Sequence, residues 1–541
     1  TINANDVLLI GNKVDIQGGK LGNEKSTTHL VGKNVYIDAD STNLNSTINV
    51  TATEGGYLQK QMINFANNNY SFGDNVKVNV VNYKDSSGTT HIGSSNFKKA
   101  LTMGNMGDEK KNAIEWWHFA KGWNEGLGDI KNVDEFRLVG NIDFSGNKGY
   151  GIEGEDWQNY ANYCIDGYGC TNMIIAGDVY FNKIFDGQNY TLKNIHIDTT
   201  KLDNMDNASI GIFGVVENAT LKNINVDYMG GGINAFNKNH QNIVAGGFVG
   251  VLSEFSEDGK FSTFENISIK NLGDVKIYAK SMGVFGGFAG ISYQGRFNNI
   301  TLERNGDTYM ESTISSAIGS FGGRFGDSTL INILVNSKGN IIVGGTGGIA
   351  QSPSLNMGGF IGGAVWIEMD NILLNYNGNL IIKENMSDRQ FLGGFLGSIS
   401  KGELTNIAFN YKGNIIGQGN TYVAGFVGST SDTINFNKIY VFFDKNTKID
   451  GSIFHGTDWN DNSSVVFDDT HIYYIEKDSI FSDPLNNDFN KNGYISDKIN
   501  IHTYNDSTQS DAYKDFLSKA NTIEKPSKPT DPTDPNVILD T

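Results

Sequence analysis

Proline, cysteine and basic charge are all scarce in this chain, and each scarcity excludes something. Proline accounts for 6 of 541 residues against 66 glycines, while aromatics still make up 11%. That is not the composition of a disordered low-complexity chain, so the glycines belong at the turns of a folded one. Lysine and arginine (42) are outnumbered by aspartate and glutamate (60), for a net charge of -18. Nucleic acid is therefore excluded as a partner, because phosphates require a basic face, and adsorption to anionic membranes is disfavoured. No apolar run approaches the ~18–20 residues needed to cross a bilayer.

The two cysteines, Cys164 and Cys170, lie in CIDGYGC with glycines between them. This spacing suits a local disulfide, which closes a very short loop and fixes local shape more than global stability. It fits an oxidising destination; two free thiols in a cytosolic protein are the alternative, and mass spectrometry with and without reductant separates the two. The chain opens TINAND without an initiating Met or signal peptide, so it reads as a processed or excised segment whose export is inferred.

What the chain has in abundance is repetition. GIFG ends at Gly214, and GGFVG, GGFAG, GGRFG, GGFIG, GGFLG and AGFVG follow, centred on Phe213, Phe248, Phe288, Phe325, Phe360, Phe395 and Phe426. Their spacing falls within the range of stacked structural repeats. After each comes a segment such as LKNINV, FENISI or MDNILL that alternates apolar and polar residues, the period of a strand with one buried face. No long amphipathic helix separates these strands, which excludes α/β units. A unit that buries one face cannot stand alone, but stacked units pair every backbone edge. The expected fold is thus all-β, a right-handed parallel β-helix with one short helix and extra-helical loops. In it the phenylalanines form an interior column, and Asn223, Asn266, Asn299, Asn332, Asn371 and Asn406 stack where each coil turns.

The organisation along the chain follows. Residues 1–100 carry shorter coils, since VLLIGNKVDIQGG and LVGKNVYIDAD share a core about 21 residues apart. Residues 101–200 form a preamble with one helix, in which Ile114, Trp117, Ala120 and Lys121 fall at helical spacing, and with an insertion at 147–184. The array occupies 201–445, an irregular segment 446–520, and a proline-rich extended linker 521–541.

The segment from Ile114 through DEFRLVGNIDFSG and IFDGQNYTLKNIHID to GIFG and LKNINV resembles the preamble and repeats of GLUG-type domains in bacterial surface proteins. The first coils resemble those of filamentous-haemagglutinin-like exoproteins of two-partner secretion systems and autotransporter passengers. The resemblance implies an internal fragment of an adhesin, secreted to the surface of a Gram-negative cell with an outer-membrane secretion partner and binding a host-cell glycan or protein. Within it the insertion at 147–184 is a departure. Its aromatic and acidic residues Trp157, Tyr160, Tyr163, Asp166 and Tyr168, pinned by the cysteines, are the expected ligand-binding set, because loops on rigid scaffolds carry function. The alternative is a lid over the coil.

Enzymatic function is not expected. The histidines His91, His118, His196 and His240 are isolated, Asp186 in FDGQNY reads as a turn residue, and the coils offer no repeated acid or arginine set. No cofactor is implied. A weak calcium candidate, Asp488, Asn490 and Asn492 in DFNKNGYISD, lacks the closing Glu of an EF-hand loop. Two readings compete with the adhesin: a polysaccharide-degrading β-helix enzyme, and a stalk carrying a C-terminal effector. The many Asn-X-Ser/Thr sequons are explained mostly by the abundance of Asn.

Overall fold

The computed structural model describes residues 6–17, 21, 25–41, 47–73, 77–146, 158–202, 208–253, 260–312, 314–344, 354–383, 389–458, 464–476 and 498–533. Its contacts divide the chain into two units, one of Thr1–Asp143 with Lys183–Tyr190, the other of Phe144–Asn182 with Thr191–Thr541.

In the first unit the shorter coils take the expected form. Strands Asp6–Ile10 and Lys13–Ile16 pair in parallel with Thr27–Asp38, with Asp6 opposite Thr27 and Lys13 opposite Asn34. That register is the 21-residue offset read from the two motifs. Thr27–Asp38 pairs in turn with Thr47–Gln61. The predicted helix runs Ala113–Glu125 and ends at Gly126, whose φ of 65° is the left-handed stop that glycine tolerates best. It is buried almost all round. Phe119 stacks on Phe136 at 4.5 Å and Trp116 meets Phe185 edge-on at 5.6 Å, so its principal core residues are Trp116 and Phe119, beside the face expected. Asp186 is the turn residue anticipated, its Oδ1 accepting the Gln188 N–H at 2.9 Å.

The second unit is a stack of parallel coils, built from three strand segments each from Ser315 to Ile449 and from four in the coils between Ala208 and Ser312, where the long segment is split in two. One three-segment coil runs Ser354–Gly358, through Phe360 into Ile361–Asn377, then Leu380–Ile382. Each segment pairs in parallel with its counterpart in the next coil, Arg389–Gly393, Leu396–Lys412 and Asn414–Ile416. The fold is therefore the parallel β-solenoid expected from the alternating strands. The Gly-Gly-Phe corner needs its glycines because coils approach backbone to backbone. A Cβ on Gly359 would lie 1.9 Å from the Gly394 carbonyl oxygen.

The interior column runs Phe181, Phe213, Phe248, Phe288, Phe321, Phe360, Phe395, Phe426 and Phe454. From Phe360 to Phe426 the rings stack 5.0 Å apart and 7° from parallel, an arrangement worth about 0.5–1.5 kcal/mol per pair beyond burial. One expectation is corrected. In the fourth coil the column residue is Phe321, not Phe325, because Gly286 pairs with Gly319 and Ile318 with Met357. The repeat there is GSFGG at 319–323, and the downstream GGRFG only imitates it. Phe325 is buried too, but in a neighbouring row on Phe297.

Beyond the array, the segment expected to be irregular contains the helix Gln509–Ala520. Its Phe516 and Ala520 pack with Ile523 on Leu373, Ala408 and Tyr440 of the long sheet. Ala512, Tyr513, Phe516, Leu517 and Ala520 carry the helical period that marks it.

Candidate functional site

In the coils from Ala289 to Phe443 the long segment bends twice, and each bend uses a residue with left-handed φ. Counting from the column phenylalanine, the second bend holds Asn299, Asn332, Asn371 and Asn406, with φ between 53° and 57°, and in the next coil Lys438, with φ of 55°. Asn is among the few residues that enter this region at little cost. The expected amide ladder forms in part. Asn266 donates to Asn223 at 3.0 Å, Asn299 to Asn266 at 2.6 Å and Asn371 to Asn332 at 3.0 Å, whereas Asn406 donates to Asp370 at 2.8 Å instead.

The first bend holds Gln294, Asp327, Trp366, Lys401 and Asp432, with φ of 56°, 45°, 53°, 57° and 65°. A bulky Trp in this conformation is an outlier that stores strain of roughly 1–3 kcal/mol. Nothing in the core repays it, for the side chain is 59% exposed and the preceding Val365 is exposed as well. Two residues further along, or three in the last coil where the register shifts, one outward side chain per coil falls into register: Arg296 beside Thr329, Thr329 beside Glu368, Glu368 beside Glu403 and Glu403 beside Asn435. Parallel coils stack about 4.8 Å apart, so these side chains line one face as a row.

Together the bend and the row form a surface groove of about 490 Å³. Trp366 supplies an aromatic face, with the Lys401 ammonium 5.5 Å from its ring centre. Phe261 supplies another, covered by the Arg296 guanidinium at 4.2 Å. Glu368, Glu403 and Asp327 provide acceptors, and Thr329, Thr433 and Asn435 provide neutral polar groups. Three carboxylates against the two cations Arg296 and Lys401 leave the groove unsuited to a polyanion. Its chemistry suits a hydroxyl-rich ligand with a flat apolar face.

The site anticipated at 147–184 looks different. Cys164 and Cys170 form the disulfide, joining the antiparallel strands Tyr163–Ile165 and Gly169–Thr171. Tyr160 is 0% and Tyr163 3% exposed, both packed on Phe144, and the Tyr160 hydroxyl donates to the Ile212 carbonyl at 3.3 Å. These two tyrosines are core residues of a lid over the coil and cannot present a recognition face. Asp166 and Tyr168 are exposed at the hairpin tip. Trp157 lies outside the described residues, as do Asp488, Asn490 and Asn492. Among the described residues no group of three His, Cys, Asp or Glu is placed to hold a metal.

Two other arrangements escaped the sequence. His471 and His502 hydrogen-bond through Nδ1 and Nε2 at 2.9 Å, and burial together with the His471 charge holds His502 below its usual range. Arg304 is fully buried, its Nη1 donating to Ser320 Oγ at 3.3 Å and its Nη2 to Thr308, and burial lowers its pKa. Compared with protein-family models, curated proteins and solved structures, the chain finds no match in any of the three.

Proposed function

We propose that this chain is a binding exoprotein of the GLUG-repeat, filamentous-haemagglutinin-like kind, secreted to or displayed on a bacterial surface, whose coil stack presents the Trp366 groove to a neutral saccharide. The observation that carries the reading is Trp366 itself: a large aromatic held exposed in a backbone conformation it disfavours, beside a row of acceptors and two cations. Such strain persists where something other than stability selects it. An indole ring stacks on the C–H face of a pyranose, while Glu368 and Glu403 accept from its hydroxyls and Arg296 donates to them. A host-cell glycan is the ligand class this supports, and an outer-membrane secretion partner accompanies the reading by resemblance alone.

The experiment is a glycan array on the intact chain followed by calorimetry. Binding to neutral oligosaccharides that is lost on blocking the groove supports the proposal; an array with no neutral binder overturns it. A second reading rests on Glu368 and Glu403, register partners on adjacent coils that place two carboxylates side by side, the residue types a glycosidase uses as acid and nucleophile. Both are exposed, without the contrasting surroundings that divide an acid from a nucleophile, so binding is the better supported of the two. Release of reducing ends from a bound glycan, abolished by Glu368→Gln or Glu403→Gln, would favour the enzyme.

A further inference from the structure

The outer face of the long sheet carries a second row, away from the Trp366 groove. Thr191 pairs with Asn225, Asn225 with Ser268, Ser268 with Thr301, Thr301 with Leu334, Leu334 with Leu373 and Leu373 with Ala408. These side chains point outward, because their strand neighbours Ile267, Ile269, Ile300 and Leu302 fill the interior. Yet Ser268 is 7% exposed, Thr301 5% and Thr191 5%. Something covers an outward polar row.

The cover is the chain's own proline-punctuated tail. Ile523 packs on the apolar end of the sheet with the Gln509–Ala520 helix. From there the tail runs back over the small polar end. The Ser527 N–H donates to Asn299 Oδ1 at 2.7 Å, and Asn299 Nδ2 returns bonds to the Ser527 carbonyl and hydroxyl, each at 3.0 Å. Lys528 to Asp531 then line a cavity with Ser268, Asn225, Asp227 and Lys270. At its far end Thr191 donates its hydroxyl to Asp531. Burial alone would raise the Asp531 carboxyl, but the Thr191 and Thr533 bonds and Lys193 hold it below the usual carboxylate range. The row changes character where its cover changes: Leu334, Leu373 and Ala408 lie under the apolar helix, Ser268 and Asn225 face the polar tail, and Thr301 between them bonds to Ser268. Small side chains let an extended backbone lie close, and a segment rich in proline gives up little conformational freedom on docking.

We propose that the Thr191–Asn225–Ser268–Thr301 row is a peptide-docking groove, filled in cis by the chain's own Lys525–Thr533 segment and able to accept the same segment in trans once the resident one is released. Two polar anchors hold the tail, Ser527 on Asn299 and Asp531 on Thr191, and the tether keeps it at an effective concentration in the millimolar range. An external copy therefore competes poorly until those anchors are removed.

The test uses three full-length proteins and a synthetic peptide spanning Lys525–Thr533. In the S527P/D531A variant the tail loses the N–H that Asn299 receives and the carboxylate that Thr191 reaches, while the groove is untouched. This variant should bind the peptide at least ~10-fold more tightly than the unsubstituted chain, where the tail competes from a millimolar effective concentration. The groove-side variant T191V/N299A should not bind it. Hydrogen exchange adds an independent reading: the Ser527 amide in the unsubstituted chain should exchange at least ~10-fold more slowly than in the free peptide, and T191V/N299A should erase that protection. Ser527 exchanging at the free-peptide rate, equal peptide binding by all three proteins, or no binding to S527P/D531A at about 1 mM peptide would each overturn the proposal.

Discussion

The two bends of the long strand are only five residues apart, as at Trp366 and Asn371, and make the same demand on the backbone. They answer it in opposite ways. Asn299, Asn332, Asn371 and Asn406 occupy the second bend coil after coil, a residue type that visits left-handed φ readily and whose amide can bond to the next coil. The first bend carries Gln, Asp, Trp, Lys and Asp. Where residue type and backbone demand agree in coil after coil, as they do until Lys438 takes the second bend, the position serves the fold. Where they disagree, and the misfit is an exposed tryptophan, the position serves something outside the fold.

The sharpest way to break this comparison is to exchange the roles of the two bends. Replacing Trp366 with Ala should cost at least ~2 kcal/mol of saccharide binding, roughly 30-fold in Kd by calorimetry, as expected for an aromatic anchor. The urea midpoint should stay put or rise. If Trp366→Ala lowered stability as much as a core substitution, the division between a functional and a structural bend would fail.

At the second bend the prediction reverses. Asn371→Ala places a Cβ-bearing residue without a compensating amide in left-handed φ and removes the bond to Asn332, at an expected loss of about 1–2 kcal/mol in urea unfolding. Saccharide affinity should not change. Asn371→Gly should recover part of the loss, since glycine relieves the backbone but cannot restore the amide contact. A third substitution tests the strain itself. Trp366→Asn should raise stability by about 1 kcal/mol, the left-handed penalty returned, while binding is lost. An unchanged or lowered midpoint would mean that the tryptophan pays its backbone cost through packing.

The two bends also show what the sequence made legible and what it did not. The coils were readable because their signals are local: alternating strands, Gly-Gly-Phe corners, and Asn five residues after the first bend. The error at Phe325 is instructive. At Gly319-Ser320-Phe321-Gly322-Gly323 a serine replaces the second glycine, and residues 322–326, which overlap it, spell the familiar motif out of register. The groove was invisible for a different reason, in that no single coil contains it. Arg296, Thr329, Glu368 and Glu403 each stand eight residues after the column phenylalanine of their own coil, Phe288, Phe321, Phe360 and Phe395, so the row emerges only when the coils are aligned on the correct phenylalanine. The aromatics of the disulfide insertion misled because Tyr160 and Tyr163 are apolar enough to be drawn into the core, which spacing and composition alone do not reveal.

The smallest effect concerns Lys401, which occupies the first bend one coil after Trp366 and holds its ammonium 5.5 Å from the indole centre. An exposed cation over a tryptophan face contributes about 0.5–1 kcal/mol, and here the two charged and aromatic groups share one bend because the coils are in register. Lys401→Ala should therefore weaken saccharide binding by only ~2–5-fold, since it removes an orienting contact and leaves the stacking face in place. Trp366 fluorescence should respond in the unliganded protein, because the ring loses its neighbour. Lys401→Arg should restore affinity and fluorescence together, as a guanidinium stacks on the same face. If Lys401→Ala instead matched the loss caused by Trp366→Ala, the ligand would be held chiefly by charge, and the groove would have to be reassigned from a neutral saccharide to an anionic one.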